Sequence, residues 1–355
     1  MPAIISTLKN AFKTLFVEKK IPWKIQRMII FSRANNIRYF ITKARFFFTK
    51  PTHRIVLSSH YLGGVGGTEK LVTSVIESMP DAEFHILADE VRFVGFYPKT
   101  YNYYVNKTPS RKIFYDAYLY FCGGGRPKYI GKKFQFKKRI VDTNAARIYD
   151  IENDFDHVLI QSTAWQSFTQ AKEKCELAFP VVKQTIPSGR VPIENLPEKY
   201  LITVFNPFSK AQKGQEILHA LAPNSRLPIV WCFSDQSGWD FASLPKTPNV
   251  IYLRNLTQEQ LYYVYERAAA YVSFALYESY GWTLAEAFTL GLPIISRATG
   301  IIPYIRDQKG VFVYETEQEL SSFLDMEFFP KTGYDEMFFV ENSYPAAIER
   351  LTREV

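Results

Sequence analysis

Cysteine is scarce in these 355 residues: Cys122, Cys175 and Cys232 lie far apart, with no CxxC pair. That excludes a disulfide scaffold and fits a reducing, cytoplasmic compartment. No apolar run reaches the ~18 residues of a membrane span. The N-terminus lacks the compact apolar stretch and small-residue cleavage site of a secretory signal, so secretion is not expected. His53, His60, His85, His157 and His219 show no metal-ligand spacing, and no metal or other cofactor is expected. Asp154-Phe155-Asp156 precedes an expected strand rather than ending one, which makes it a solvated loop rather than a cation site. Ser279 is outside any G-x-S-x-G elbow, so a serine hydrolase is unsupported.

Acidic residues are nearly absent from two segments. Residues 1–50 hold 11 Lys/Arg and one acid, Glu18, a local charge of +10. Residues 107–139 hold 10 bases against Asp116, while the whole chain carries only +8. Both segments interleave cations with aromatics. In the first, Ile4, Ile5, Leu8, Phe12, Leu15 and Phe16 recur at helical spacing among Lys9, Lys13, Lys19 and Lys20. Such a face can lie in an anionic membrane interface. Cations with stacking aromatics also suit single-stranded nucleic acid, the weakest of the readings. A helical pair packed on the domain with a solvated basic face is the third.

A 47% hydrophobic chain of this length affords two packed domains. From residue 54 strands and helices alternate, which indicates an α/β protein with parallel sheets. Expected strands are Arg54–His60, Phe84–Ala88, Val158–Gln161, Val181–Ile186, Tyr200–Phe205, Ile229–Phe233, Val250–Leu253, Tyr271–Leu276 and Pro293–Arg297. Expected helices are one carrying Leu71, Val72, Val75, Ile76 and Met79, then Gln215–Leu221, Thr257–Ala270 and Thr283–Leu290. Thr257 with Gln260 reads as a capping box. The stretch 101–139 reads as irregular. The proline-rich run 186–198 reads as a linker and hinge.

Residues 271–300 carry the densest signal: a strand, a loop with Glu278, a helix with Glu286, a glycine stop and a second strand. In a parallel βαβ unit the loop leaving the strand faces the ligand crevice. Amides near Gly281, Trp282 and Thr283 can hold phosphate there, aided by the helix dipole. Two carboxylates eight residues apart can meet sugar and ribose hydroxyls, although either alone reads as a solvated side chain.

Glu278-Ser279-Tyr280-Gly281, Glu286-Ala287 and Gly291-Leu292-Pro293 together resemble the signature of the retaining glycosyltransferases of family 4, the group 1 transferases. Pro248–Leu253 before Thr257–Ala270, the turn Ile186–Gly189, and the loop Gly63-Gly64-Val65-Gly66-Gly67-Thr68-Glu69 resemble further parts of that family. In isolation the glycine loop reads equally well as a tight turn, and it fails as a dinucleotide fingerprint because Glu69 stands in the third glycine's place. The resemblance spans about residues 54–325.

It implies the GT-B architecture, two Rossmann-like domains facing a central cleft, here with a basic amphipathic N-terminal extension. The expected divisions are 1–50 for the extension, 51–190 for the acceptor-side domain, 191–327 for the donor domain, and 328–355 crossing back to the first domain. The implied activity is transfer of a sugar from a nucleotide-sugar donor to an acceptor hydroxyl with retention. The implied partners are that donor and a saccharide or lipid-linked acceptor, with nucleic acid not expected. Glu278 and Lys213 would be catalytic, Glu278 at the donor sugar and Lys213 at the diphosphate. Glu286 would meet the ribose. Gly281, Trp282, Thr283, Gly64, Gly66, Gly67 and Arg254 complete the expected donor site, without metal. Asn206-Pro207-Phe208 replaces a stretch where the family usually has an arginine, leaving Arg254 or Arg297 to assist Lys213. No equivalent of the family's N-terminal-domain histidine is found. The alternative is a catalytically silent homologue that binds saccharide or serves as a scaffold. The scattered cysteines and the lack of a secretory signal make the cytoplasm the expected location, and the basic segments add an expected peripheral contact with the cytoplasmic face of a membrane.

Overall fold

The computed structural model describes residues 41–62, 67–91, 103–105, 114–121, 135–143, 148, 151–163, 166, 169–207, 210–234, 244–333 and 336–353. The glycines Gly64 and Gly66, and the amphipathic stretch 1–40, lie outside them.

The first sheet has seven strands: β1 (Arg54–Leu62), β2 (Glu83–Val91), β3 (Tyr103–Val105), β4 (Phe114–Phe121), β5 (Gln135–Asp142), β6 (His157–Ile160) and β7 (Cys175–Leu177). They run parallel in the order β3-β2-β1-β4-β5-β6-β7. Parallel strands need crossover connections, so both faces of the sheet are covered, and β4 and β5 are buried towards their C-terminal ends. On β4, Ala117, Leu119 and Phe121 enter one core while Tyr118 and Tyr120 enter the other. Helix α1 (Gly67–Ser78) covers the first of these with Leu71, Val72, Val75 and Ile76.

The second sheet has six parallel strands: β8 (Leu201–Val204), β9 (Ile229–Phe233), β10 (Val250–Arg254), β11 (Ala270–Val272), β12 (Ile294–Ser296) and β13 (Val311–Val313). Their order is β10-β9-β8-β11-β12-β13. The helices among them are α2 (Lys210–Lys213), α3 (Gln215–Leu221), α4 (Gln258–Arg267), α5 (Trp282–Thr289), α6 (Ile302–Ile305) and α7 (Glu317–Leu324). The Thr257–Gln260 capping box closes α4 reciprocally, at 3.2 and 2.9 Å. Each sheet reverses its strand order beside its first strand, at β1/β4 and at β8/β11. Ligands of doubly wound folds bind at such switch points, outside the carboxyl ends of the strands.

The last helices, α8 (Glu336–Glu341) and α9 (Tyr344–Arg353), return the chain to the first domain. Phe179 forms a parallel bridge with Ser343, and Tyr344, Ala347, Ile348 and Leu351 join the core of Ile55, Leu57 and Leu71. Phe179 sits among Tyr280, Tyr304, Phe338 and Phe339, with ring centroids 5.2–6.0 Å away. This aromatic cluster is the seam where first-domain, second-domain and C-terminal segments meet.

The structure corrects several sequence readings. Residues 122–134 lie outside the described residues; where it is described, the stretch 101–139 is not irregular, for it supplies β3, β4 and the start of β5. Its Tyr115, Tyr118, Tyr120 and Phe121 are buried in the sheet, so they cannot form a membrane or nucleic-acid surface. The Lys137 ammonium donates to the Thr352 carbonyl, placing a cation at the C-terminus of α9, where the helix dipole favours it. Val182–Thr185 is a 3-10 turn rather than a strand. Helix α4 stops at Arg267 because the chain must extend from Ala270 to pair with Leu201 in β8. Within the Asp-Phe-Asp string, Phe155 is buried and Asp156 accepts from the Arg139 amide at 2.7 Å. That string tethers β5 to the turn before β6.

Candidate active site

Two loops leaving β8 and β11 are fastened to each other at the second switch point. Gly214, at the end of the first, has φ +66°, and a Cβ there would lie 2.0 Å from the Phe274 carbonyl oxygen. Only glycine admits that approach in that conformation. The Leu276 amide donates to the Gln212 carbonyl at 2.8 Å. These two contacts fix Lys213 beside the second loop, and its Nζ lies 2.5 Å from Glu278 Oε1. The pair is 24% and 16% exposed, enough for a ligand to reach from the cleft.

The Glu278 loop is gripped from its other side as well. The Glu278 amide donates to Thr299 Oγ1 at 2.6 Å, and the Ile301 amide to the Tyr280 carbonyl at 3.1 Å. Gly300, at φ +58°, passes so close that a Cβ would meet Tyr280 O at 2.4 Å. Gly281 takes the left-handed conformation, φ 81°, and turns the chain into α5, whose N-terminus no side chain caps. Uncapped amides at a helix start are suited to an anion.

Other expected site residues have different surroundings. Thr283 Oγ1 is hydrogen-bonded to Tyr271 Oη at 2.7 Å, and its carbonyl accepts from Tyr265 at 3.0 Å. Its hydroxyl is thus turned towards these tyrosines. Burial, foremost, pushes the Tyr271 and Tyr265 phenols well above their ordinary range, so both stay neutral, Tyr265 as the donor to the Thr283 carbonyl. Trp282 packs against the cores of both domains. Gly67 opens α1 at the first switch point. Arg254 ends the edge strand β10, two strand spacings or ~10 Å from β8. Arg297 donates to the Glu315 carbonyl at 2.6 Å and lies over the Tyr314 ring. Asn206, standing in the expected arginine stretch, accepts from the Ser234 amide at 2.9 Å and serves as a bracket between loops.

Glu286 is completely buried, and its Oε1 accepts from the ammonium of Lys70, on α1 of the opposite domain. The sequence reading missed Lys70, together with Thr299, Gly214 and Gly300. The signal was a lysine following the quoted Gly67-Thr68-Glu69, but no spacing rule ties it to a glutamate 216 residues away. Among the described residues no group of His, Cys, Asp and Glu could hold a metal, and no helix is long and apolar enough to cross a membrane.

Residues 241–322, which include Glu278 and Glu286, match the model of the family described as glycosyl transferases group 1. The match and the fold together support a group 1 glycosyltransferase. Solved glycosyltransferase structures are similar to this one in fold. The apo lipopolysaccharide outer core galactosyltransferase WaaB has a TM-score of 0.53 at 11% identity, over 84% of this chain and 98% of its own. Anabaena Alr3699/HepE, in complex with UDP and glucose, has 0.52 at 12%, over 85% and 98%. AviGT4, involved in avilamycin A biosynthesis, has 0.51 at 14%, over 85% and 97%. At such identities the likeness is one of architecture: two parallel-sheet α/β domains that match GT-B structures. A sequence comparison with curated proteins finds no match.

Proposed function

We propose that the protein moves a sugar from a nucleotide-sugar donor to an acceptor hydroxyl with retention of anomeric configuration. The observation that supports this is the Lys213–Glu278 pair, held at the second switch point with Glu278 inside the matched segment. In this reading Glu278 receives hydroxyls of the donor sugar. Lys213 and the amides of Gly281, Trp282 and Thr283 hold the diphosphate, and Glu286 meets the ribose. Reaction proceeds on one face of the sugar. The anomeric carbon–diphosphate bond breaks as the bond to the acceptor oxygen forms, and the acceptor's proton passes to the departing phosphate oxygen. No protein nucleophile and no metal are required. Lys213 stabilises charge that grows on the leaving group, and such preorganised electrostatics supply much of the acceleration.

Thermal unfolding with UDP, GDP, ADP, CDP and dTDP tests the reading. One nucleotide should raise the midpoint by several degrees, since a ligand at 100 times its Kd adds about 2.7 kcal/mol. The rise should vanish in Lys213→Ala. No rise with any nucleotide would favour the silent saccharide-binding or scaffold homologue.

We further propose a cytoplasmic protein that acts on a membrane-associated acceptor in glycan or polysaccharide synthesis. Support comes from residues 41–48, which are helical and docked on the first domain by Arg45–Asp81 at 2.9 Å. There Phe47 and Phe48 are 81% and 82% exposed, next to Lys43, Arg45 and Lys50 at the end of the basic segment. Burying a phenylalanine is worth ~1.5–3 kcal/mol. Changing both to alanine should therefore weaken binding to anionic vesicles at least ~10-fold. Undiminished binding would show that these rings do not enter the bilayer.

A further inference from the structure

Glu286 poses a question that its expected role does not answer. It is fully buried, with a side-chain exposure of 0%, and a carboxylate taken out of water is tolerated only with compensation. One oxygen has it, from Lys70; the other, Oε2, has no hydrogen-bond partner among the described residues. The cation comes from the other domain. Lys70 is in the first turn of α1, directly after the loop that leaves β1 at the first switch point. Glu286 is on α5, after the loop that leaves β11 at the second. Trp282, one helical turn before Glu286, packs on both cores beside this bridge.

We propose that Lys70 is a positioning residue. It holds Glu286 across the cleft so that Oε2 is presented to a hydroxyl of the nucleotide's ribose. This rests on the reading of Glu286 as a ribose contact. Two consequences follow from the geometry. The carboxylate is an oriented acceptor only while the two domains are together, because parting them removes the ammonium that holds it. A hydroxyl donated to Oε2 fills the one unmet hydrogen-bonding position and so favours the closed arrangement. Ribose recognition is thereby coupled to closure, through a residue that does not touch the nucleotide.

The test measures affinities of the full-length chain for UDP, GDP, ADP and CDP, for their 2′- and 3′-deoxy counterparts, and for inorganic pyrophosphate. Wild type should prefer one ribonucleotide over a deoxy form about 10-fold or more, the usual worth of a hydrogen bond to a charged group. Lys70→Met should bring that ratio towards one while leaving pyrophosphate affinity unchanged, and Lys70→Arg should restore much of the preference. Pyrophosphate binding also reports that the variant is folded. Should Lys70→Met fail to fold, Glu286→Gln and Glu286→Gln/Lys70→Met carry the test, since the double variant leaves no buried charge unpaired. Equal ribonucleotide affinities in these two would show that Lys70 acts only through Glu286. Full preference retained in Lys70→Met overturns the proposal. So does loss of pyrophosphate binding, which would make Lys70 a phosphate ligand. A wild type that binds ribo and deoxy forms alike removes the role given to Glu286, and the proposal with it. A wild type that binds no nucleotide overturns the proposed function itself.

Discussion

Lys213→Ala is expected to lower sugar transfer by ~10²–10³-fold, the usual cost of removing one donor aimed at developing charge. Lys213 Nζ is 2.5 Å from Glu278 Oε1 on a loop that Gly214 and Gln212 clamp against Phe274 and Leu276, so the ammonium is in place before the donor arrives. The substitution removes a cation from a partly exposed pair, and such pairs contribute at most ~1 kcal/mol to folding. The unfolding midpoint should therefore move by only a few degrees while turnover collapses. Lys213→Arg should recover part of the rate, because it restores charge but not the compact ammonium. Rates measured under saturating donor separate this from weakened binding. A Lys213→Ala variant with near wild-type turnover would remove Lys213 from the chemistry.

The second large effect concerns folding. Tyr344→Ala should destabilise the first domain by ~3–5 kcal/mol, as large aromatic deletions in packed cores do. Tyr344 is buried among strands that precede it by more than 180 residues. Its hydroxyl donates to Asp142 Oδ2 and accepts from Gln161 Nε2 at 3.2 Å. Burial, with the Asp142 charge beside it, raises its phenol well above the ordinary range, so the hydroxyl remains the donor. Tyr344→Phe keeps the ring and removes only that donor, at a smaller cost of ~1–3 kcal/mol. Denaturant unfolding of the three proteins should rank them in that order. Equal stabilities would mean that α9 is an appendage rather than part of the first domain's core.

Much of the second domain was legible in the sequence because its signals are local. Gln215–Leu221 and Ile229–Phe233 fall where apolar spacing puts them, and the Thr257 cap marks the start of α4. Gly281 announces the turn into α5. The first domain hid more. In β4 and β5, lysines and tyrosines occupy strands buried on both faces at their C-terminal ends, so charge and aromaticity at the strand starts masked the pattern. The α7 capping box, Thr316 with Glu319, was as local as that of α4 but follows a region outside the motifs. The Lys70–Glu286 bridge and the Tyr344–Asp142 bond could not be read at all. Each joins residues over 200 positions apart, and only the apposition of two sheets and the returning C-terminal helix brings them together.

The most direct test of the central claim is release of nucleoside diphosphate from a panel of nucleotide sugars, followed by NMR assignment of the product's anomeric configuration. Wild type should turn over one donor with the configuration retained, and Glu278→Gln and Lys213→Ala should each abolish most of that release. Turnover that survives both substitutions, or a product of inverted configuration, would contradict the account.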